Sequence, residues 1–296
     1  MEAEGERRPL VHPSQTAAVM RRFGWRFIRD LGQNFLIDAN VLRKIVDAAA
    51  LRPDDIVLEV GTGIGTLTEA LAAKAAYVVS VEIDRRLLPI LAETLAGLDN
   101  VKILPQDAMA VTADQLEIDG GRPAKMVANL PYNIAAPVIL KYFAGLPSIK
   151  SMVVMVQREI AERIMAEPGT KDYSAFTVKL RYFAGAQWLQ AVSRRVFVPP
   201  PKVDSAIIKL TRWEKAPVEV GPERLFAVVT AGFSQRRKML VNALATSALG
   251  VTKDRAAAAL EAAGVPPNAR AEELSLAEFA SLANYFGDIL FRGHNT

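Results

Sequence analysis

Between Asp54 and Gln157 the sequence alternates short apolar runs with stretches of helical spacing, and this alternation restricts the fold more than any other feature. The runs are "DDIVLEV" (Asp54 to Val60), "YVVSVEID" (Tyr77 to Asp84), "VKILP" (Val101 to Pro105), "AKMVANL" (Ala124 to Leu130) and "SMVVMVQ" (Ser151 to Gln157). "GTGIGTLTEALAAK" separates the first two and "RRLLPILAETLAG" the next pair, both with helical periodicity. Strands that are apolar throughout need cover on both faces, so the pattern predicts a parallel sheet with helices on either side. "AQWLQAV" and "SAIIKLTRW" predict a hairpin closing one sheet edge. After Trp213 strand signals cease. "PERLFAVVTAGFSQRRKMLVNALATSAL", "TKDRAAAALEAAG" and "SLAEFASLANYFGDIL" predict an all-helical C-terminal domain over residues 214–296. The α/β domain is expected over 31–213, and residues 1–30 as an extension in which "PSQTAAVMRRFG" predicts one short helix.

The 296 residues are 51% hydrophobic, enough for a large core and, at about 100 to 200 residues per domain, for two units. No apolar run approaches the roughly 18 residues of a membrane helix, and "MEAEGERRPLVHPSQ" is acidic and then basic without an apolar leader core. The expectation is a cytoplasmic protein with no membrane partner. Cysteine is absent, which excludes disulfides, thiolate zinc sites and thiol nucleophiles, among them the covalent cysteine that pyrimidine C5 methylation requires. The two histidines, His12 and His294, lie near the chain ends, which argues against hydrolytic triads and histidine-metal sites; no metal is expected. Charge is unevenly spread. Val192 to Lys238 holds ten Lys/Arg against four Asp/Glu, leaving 26 against 28 elsewhere. A basic segment on a near-neutral body points to a polyanion partner, with a solvated charged face as the plainer reading. Nothing in the pattern points to an obligate oligomer, so a monomer is expected.

Glycines 61, 63 and 65 follow the first strand, where the backbone has to turn sharply and admit a ligand close to the main chain. Glu82 stands twenty-one residues beyond Gly61 at the end of the second strand, placed to accept hydrogen bonds from both hydroxyls of a ribose. Asp107, in the equivalent loop after the third strand, can receive an adenine amino group. Together these indicate a nucleoside cofactor. A nicotinamide site calls for G-x-G-x-x-G, but Thr66 stands where its third glycine would be, and no Lys or Arg in the loop clamps a phosphate. S-adenosyl-L-methionine, which has no phosphate, fits better.

"NLPY" (Asn129 to Tyr132) follows the fourth strand and so lies at the carboxyl edge of the sheet, beside that cofactor site. The pattern suits methylation of an exocyclic amine. The side-chain oxygen of Asn129 and the carbonyl of Leu130 can accept both N–H groups of an adenine N6, directing its lone pair at the methyl donor. Pro131 keeps Leu130 extended. Tyr132 offers a ring face to the base, a contact worth roughly 1–3 kcal/mol. No strong base is needed, because the amine becomes acidic only as the methyl arrives. The alternative is that Pro-Tyr merely ends a strand and packs a ring. Phe197, in a loop stiffened by Pro199, Pro200 and Pro201, is expected as a second ring on the base, with Arg194, Arg195 and Lys202 on the phosphates of an extruded nucleotide.

Taken in order, "LGQNFLID" (Leu31 to Asp38), "LEVGTGIGTLT", "VEID", "NLPYNI", "FVPPPKVDSA", "FSQRRKML" and "RAEELS" resemble the motifs of the KsgA-type small-subunit ribosomal RNA adenine dimethyltransferases over almost the whole chain. The resemblance implies a Rossmann-like α/β fold of the class I S-adenosylmethionine-dependent methyltransferases with a small helical C-terminal domain that binds rRNA. It implies cofactor contacts at Gln33, Asn34, Leu36, Gly61, Gly63, Glu82, Ile83, Asp107, Ala108 and Asn129. It also implies dimethylation at N6 of two adjacent adenosines near the 3′ end of small-subunit (16S) rRNA, and a role late in subunit assembly. Pattern alone would not have found Asn34 or Leu36, since "GQNFLID" reads as a turn before a helix. Two positions depart from the family's usual pattern: Thr62 stands between Gly61 and Gly63, and Gln106 precedes Asp107 where a glycine is common. Arg236, Arg237 and Lys238 are expected on the RNA backbone, with a solvated helix face as the alternative. The competing readings are an Erm-type methyltransferase of large-subunit RNA, a non-catalytic assembly factor that keeps the fold, and a DNA adenine methyltransferase.

Overall fold

The computed structural model describes residues 9–25, 33–235 and 237–290. The first eight residues, Leu31 and Gly32 of the "LGQNFLID" motif, Arg236 and His294 lie outside the described residues. Strands are β1 (Phe35–Leu36), β2 (Ile56–Val60), β3 (Tyr77–Val81), β4 (Val101–Leu104), β5 (Lys125–Asn129), β6 (Ser151–Gln157), β7 (Ala184–Val192), β8 (Phe197–Val198) and β9 (Ser205–Arg212). The α-helices are α1 (Pro13–Arg22), α2 (Ala39–Ala48), α3 (Thr66–Ala72), α4 (Leu88–Thr94), α5 (Ala135–Gly145), α6 (Arg158–Met165), α7 (Ala175–Phe183), α8 (Pro222–Phe233), α9 (Leu240–Ala245), α10 (Lys253–Ala262) and α11 (Leu276–Leu290).

The apolar runs become the centre of a seven-stranded sheet of order β4-β3-β2-β5-β6-β9-β7. Parallel pairing joins β4 to β3, β3 to β2, β2 to β5 and β5 to β6, and β9 runs antiparallel to β6 at the edge where a hairpin is expected. Val57, Leu58, Val78, Val79, Met126, Val127 and Val154 are fully buried, each burial worth roughly 1.5–3 kcal/mol. Val41 and Ile45 of α2 and Leu67 and Leu71 of α3 pack on this sheet beside Val57, Val78 and Val127. The strand order reverses between β2 and β5, so the loops leaving their carboxyl ends part around a crevice.

Two elements differ from the sequence reading. "GQNFLID" is more than a turn: Phe35 and Leu36 form β1, antiparallel to β8, with Leu36 opposite Phe197 and Phe35 opposite Val198. Asp38 then caps α2, its carboxylate accepting the Asn40 and Val41 N–H groups at 2.9 and 3.0 Å. The helical run through "SQRRKML" is also broken. α8 ends at Phe233, Ser234 turns its hydroxyl onto the Ala231 carbonyl at 2.6 Å, and α9 begins at Leu240, whose N–H donates to Ala269 at 2.8 Å instead of to its own helix.

The chain separates into two compact units, Met1–Ala161 with Gln187–Arg212, and Glu162–Ala186 with Trp213–Thr296. The sequence reading drew one boundary after residue 213, whereas the packing assigns Glu162–Ala186 to the helical unit as well, because Tyr173 and Val178 share a core with Val228, Leu244, Leu260, Phe279 and Phe286. Among the described residues no helix is long and apolar enough to cross a membrane.

Candidate active site

The crevice at the carboxyl ends of β2, β3 and β5 has a volume of about 930 Å³, counting the part open to solvent. Its walls are built from the residues singled out in the sequence: Gln33, Asn34, Leu36, Gly61, Gly63, Glu82, Ile83, Asp107, Ala108, Asn129, Leu130, Pro131 and Tyr132 all line it. Gly61 has φ +85°, a left-handed conformation that a side chain would strain, while a Cβ there would make only ordinary contacts, 3.4 Å from both the Asn129 carbonyl and the Pro131 ring. The backbone turn, more than the space, is what calls for glycine between β2 and the acceptor loop.

Glu82 is nearly buried at the end of β3, and its carboxylate accepts the Gly63 N–H and the Asp84 N–H at 2.9 Å each. Burial holds its pKa above the ordinary carboxylate value, and these amides offset only part of that rise. The acid thus holds the second glycine of the turn as well as facing the crevice. Asp107 accepts the Met109 N–H on one oxygen at 2.8 Å and has no partner for the other among the described residues. Gln106, one of the two departures from the family's usual pattern, pairs with Gln115 through both side-chain amides at 2.9 and 3.1 Å, which fixes the loop. Thr62 is buried with its hydroxyl 2.6 Å from that of Ser80.

On the acceptor side the Asn129 amide donates through Nδ2 to the Asn34 carbonyl at 3.3 Å, which leaves Oδ1 as its accepting group. The Leu130 carbonyl accepts no hydrogen bond among the described residues. Two adjacent acceptors thus stand ready for two N–H donors. The Tyr132 hydroxyl lies 2.6 Å from that of Ser205, which anchors the ring edge, and burial pushes its pKa up.

Phe197 is not brought into the crevice with these groups. It is 2% exposed and packs with Leu36, Val41, Val192 and Ile207, because its strand pairs with β1. A ring held there has to leave the core before it can stack on a base, so in this arrangement Phe197 supports Leu36 instead. Arg194, Arg195 and Lys202 are exposed on the loop between β7 and β9, and no carboxylate pairs with them among the described residues. The backbone of that loop is tied down by Asp204 accepting the Arg194 N–H at 2.9 Å and by the Arg194 guanidinium donating to the Lys202 carbonyl at 3.1 Å. Arg237 and Lys238 are exposed in the turn between α8 and α9 of the helical unit.

Sequence reasoning missed Glu59. Fully buried in β2 and lining the crevice, it accepts the Thr68 and Ser80 hydroxyls on Oε2 at 2.6 and 2.7 Å, while Oε1 has no partner. Burial is the main cause that pushes its pKa up to about 8. An acid inside the otherwise apolar run "IVLEV" was the available signal.

Among the described residues the lining contains three acids, Glu59, Glu82 and Asp107, and no Lys or Arg. Glu59, its pKa pushed up to about 8, adds little charge near neutrality, and an acidic wall without a phosphate clamp suits a cationic nucleoside derivative better than a pyrophosphate. Fold and site together define an S-adenosylmethionine-dependent methyltransferase of the Rossmann-like class.

Comparison with known proteins narrows the class. Residues 25–288 match the family model described as ribosomal RNA adenine dimethylase, and the chain belongs to that family. It is 47% identical over 283 residues to the ribosomal RNA small subunit methyltransferase A of Geobacillus kaustophilus, covering 93% of this chain and 96% of that one. It is 44% identical to the protein of the same name from Alkaliphilus metalliredigens, over 92% and 96% of the two chains. Among solved structures, a dimethyladenosine transferase from Plasmodium falciparum superposes with a TM-score of 0.74 at 28% identity, covering 86% of this chain and 98% of that one. The 23S rRNA methyltransferase ErmE gives 0.63 at 31% identity, over 86% and 100%.

Proposed function

We propose that this protein transfers methyl groups from S-adenosyl-L-methionine to N6 of two adjacent adenosines near the 3′ end of small-subunit (16S) rRNA, forming N6,N6-dimethyladenosines. It acts as a cytoplasmic monomer late in small-subunit assembly. The observation that carries the reading is the acceptor pair, an Asn129 amide oriented by Asn34 beside an unpartnered Leu130 carbonyl, on the rim of an acid-lined nucleoside crevice.

Gln33, Asn34, Leu36, Gly61, Gly63, Glu82, Ile83, Asp107, Ala108 and Asn129 hold the cofactor, Glu82 at its ribose and Asp107 at its adenine. When bound, S-adenosylmethionine supplies an electrophilic methyl on a sulfonium. An adenine N6 is a poor nucleophile because its lone pair is delocalised into the ring. Asn129 Oδ1 and the Leu130 carbonyl accept its two N–H bonds, orient the nitrogen, and stabilise the positive charge that grows on it as the new N–C bond forms and the methyl's bond to sulfur breaks, leaving the thioether product. The acidic ammonium then gives its proton to water, so no imidazole is needed. Tyr132, steadied by Ser205, supports the base from its ring face. Arg194, Arg195, Lys202, Arg236, Arg237 and Lys238 neutralise RNA phosphates.

The test is transfer of labelled methyl groups to purified unmodified small subunits, with large subunits in parallel and a nuclease map of the product. Label on two adjacent adenosines near the small-subunit 3′ end is expected. Label on large-subunit RNA alone would transfer the protein to the Erm-type activity, and RNA binding without any label would make it a non-catalytic assembly factor.

A further inference from the structure

Lys141 is a cation with an unusual set of partners. Twelve residues beyond Asn129, on α5, its ammonium donates to three backbone carbonyls of a single loop: Ala108 at 3.0 Å, Met109 at 2.6 Å and Val111 at 2.7 Å. The neighbouring Tyr142, buried in the same helix, adds its hydroxyl to the Ala108 carbonyl at 3.1 Å. Three acceptors converging on one point repel each other, and only a group with three N–H donors satisfies them all, which is the property of an ammonium. Ala108 and Val111 are 5% and 4% exposed and Met109 is 39% exposed, so the ammonium bridges the buried base of the loop and its open rim.

The loop so held is the one that begins with Asp107. Its Asp107 carbonyl accepts the Ala110 and Val111 N–H groups at 2.8 and 3.2 Å, and the Asp107 carboxylate accepts Met109 N–H with one oxygen, keeping the other for a ligand. The Gln106 and Gln115 amides brace the same loop, with Gln115 also accepting the Thr112 N–H at 2.9 Å. The helix that carries Lys141 opens at Ala135, just after the acceptor motif.

We propose that Lys141, assisted by Tyr142, is a positioning residue for the purine of the cofactor: it holds the Asp107 loop in the shape that presents a carboxylate oxygen to the exocyclic amine of adenine. The inference rests on reading the crevice as the S-adenosylmethionine site. It makes α5 a mechanical link between the acceptor motif at its start and the adenine-binding loop at its middle. It also gives the site a chemical selectivity, because a 6-oxo purine would set a carbonyl against Asp107 where adenine offers an N–H.

Calorimetric binding of S-adenosylhomocysteine and of its inosine analogue to the wild type, Lys141→Met, Lys141→Arg and Tyr142→Phe tests this. The wild type is expected to prefer the adenosyl compound strongly. In Lys141→Met the adenosyl affinity should fall about tenfold with little change for the inosyl compound, so that discrimination shrinks; Lys141→Arg should recover part of it, and Tyr142→Phe should lose about threefold. With unmodified small subunits as substrate, the KM for S-adenosylmethionine should rise in Lys141→Met by more than kcat falls. Equal losses for both nucleosides, or none, would overturn the proposal, since a general packing defect does not distinguish an amine from a carbonyl. Should Lys141→Met fail to fold, Tyr142→Phe carries the same comparison. A wild type that binds neither S-adenosylhomocysteine nor S-adenosylmethionine would overturn the reading of the crevice itself, an outcome seen without any variant.

Discussion

At the residue scale, Glu59 places charge and burial in direct conflict. Its carboxyl is fully buried with one oxygen unpartnered, and its pKa rises from the ordinary 4.5 to about 8. Between those two values the folded chain holds a proton that the unfolded chain has released, so this residue's contribution to stability is lost as pH rises from about 4.5 to about 8. Glu59→Gln keeps the shape and has no such proton. Urea unfolding at pH 5 and pH 8 should therefore show a loss on the order of a few kcal/mol in the wild type that is largely absent in the variant. Equal pH slopes in the two proteins would contradict this. Gly61, Glu82, Asp107 and Asn129 were legible in the sequence because each follows a recognisable apolar run, where position alone implies a crevice. Glu59 and Lys141 were not, because their meaning lies in partners far along the chain: Ser80 for one, the Ala108 to Val111 carbonyls for the other.

At the scale of elements, the pairing of β1 with β8 does the most to shape the site. It straps Gln33 to Leu36 against the crevice by joining two segments more than 150 residues apart, with the Ile37 N–H donating to Val196 at 2.9 Å to extend it. Phe197 is the buried side chain under that strap. Phe197→Ala should cost about 3–5 kcal/mol of stability and also weaken cofactor binding, as measured by urea unfolding and calorimetry. A loss below about 1 kcal/mol, with RNA binding impaired instead, would restore the role of a base-stacking ring read from the sequence. The five parallel strands could be read directly, since each is a continuous apolar run of the right length. Two-residue strands carry no period, so β1 and β8 could not. Nor could the break between α8 and α9, which depends on Leu240 finding Ala269.

At the scale of the whole molecule, the sequence showed an α/β part followed by a helical part and a basic stretch between Val192 and Lys238. It did not show that Glu162–Ala186 packs with the helices, because α7 has the same amphipathic pattern whichever core it joins. Arg237 and Lys238 are exposed in the helical unit, and the double change Arg237→Ala with Lys238→Ala should lower the slope of log affinity for the small subunit against log salt by roughly 1 to 2. Cofactor affinity should not change. An unaltered slope would make this stretch an ordinary solvated surface. That two acceptors hold the target amine is tested by single-turnover methyl transfer to unmodified small subunits by the wild type and by Asn129→Ala, each saturated with S-adenosylmethionine. The wild type should transfer methyl groups to two adjacent adenosines and the variant should do so at a rate at least about 100-fold lower, with small-subunit binding retained. Transfer by Asn129→Ala at the wild-type rate would contradict it.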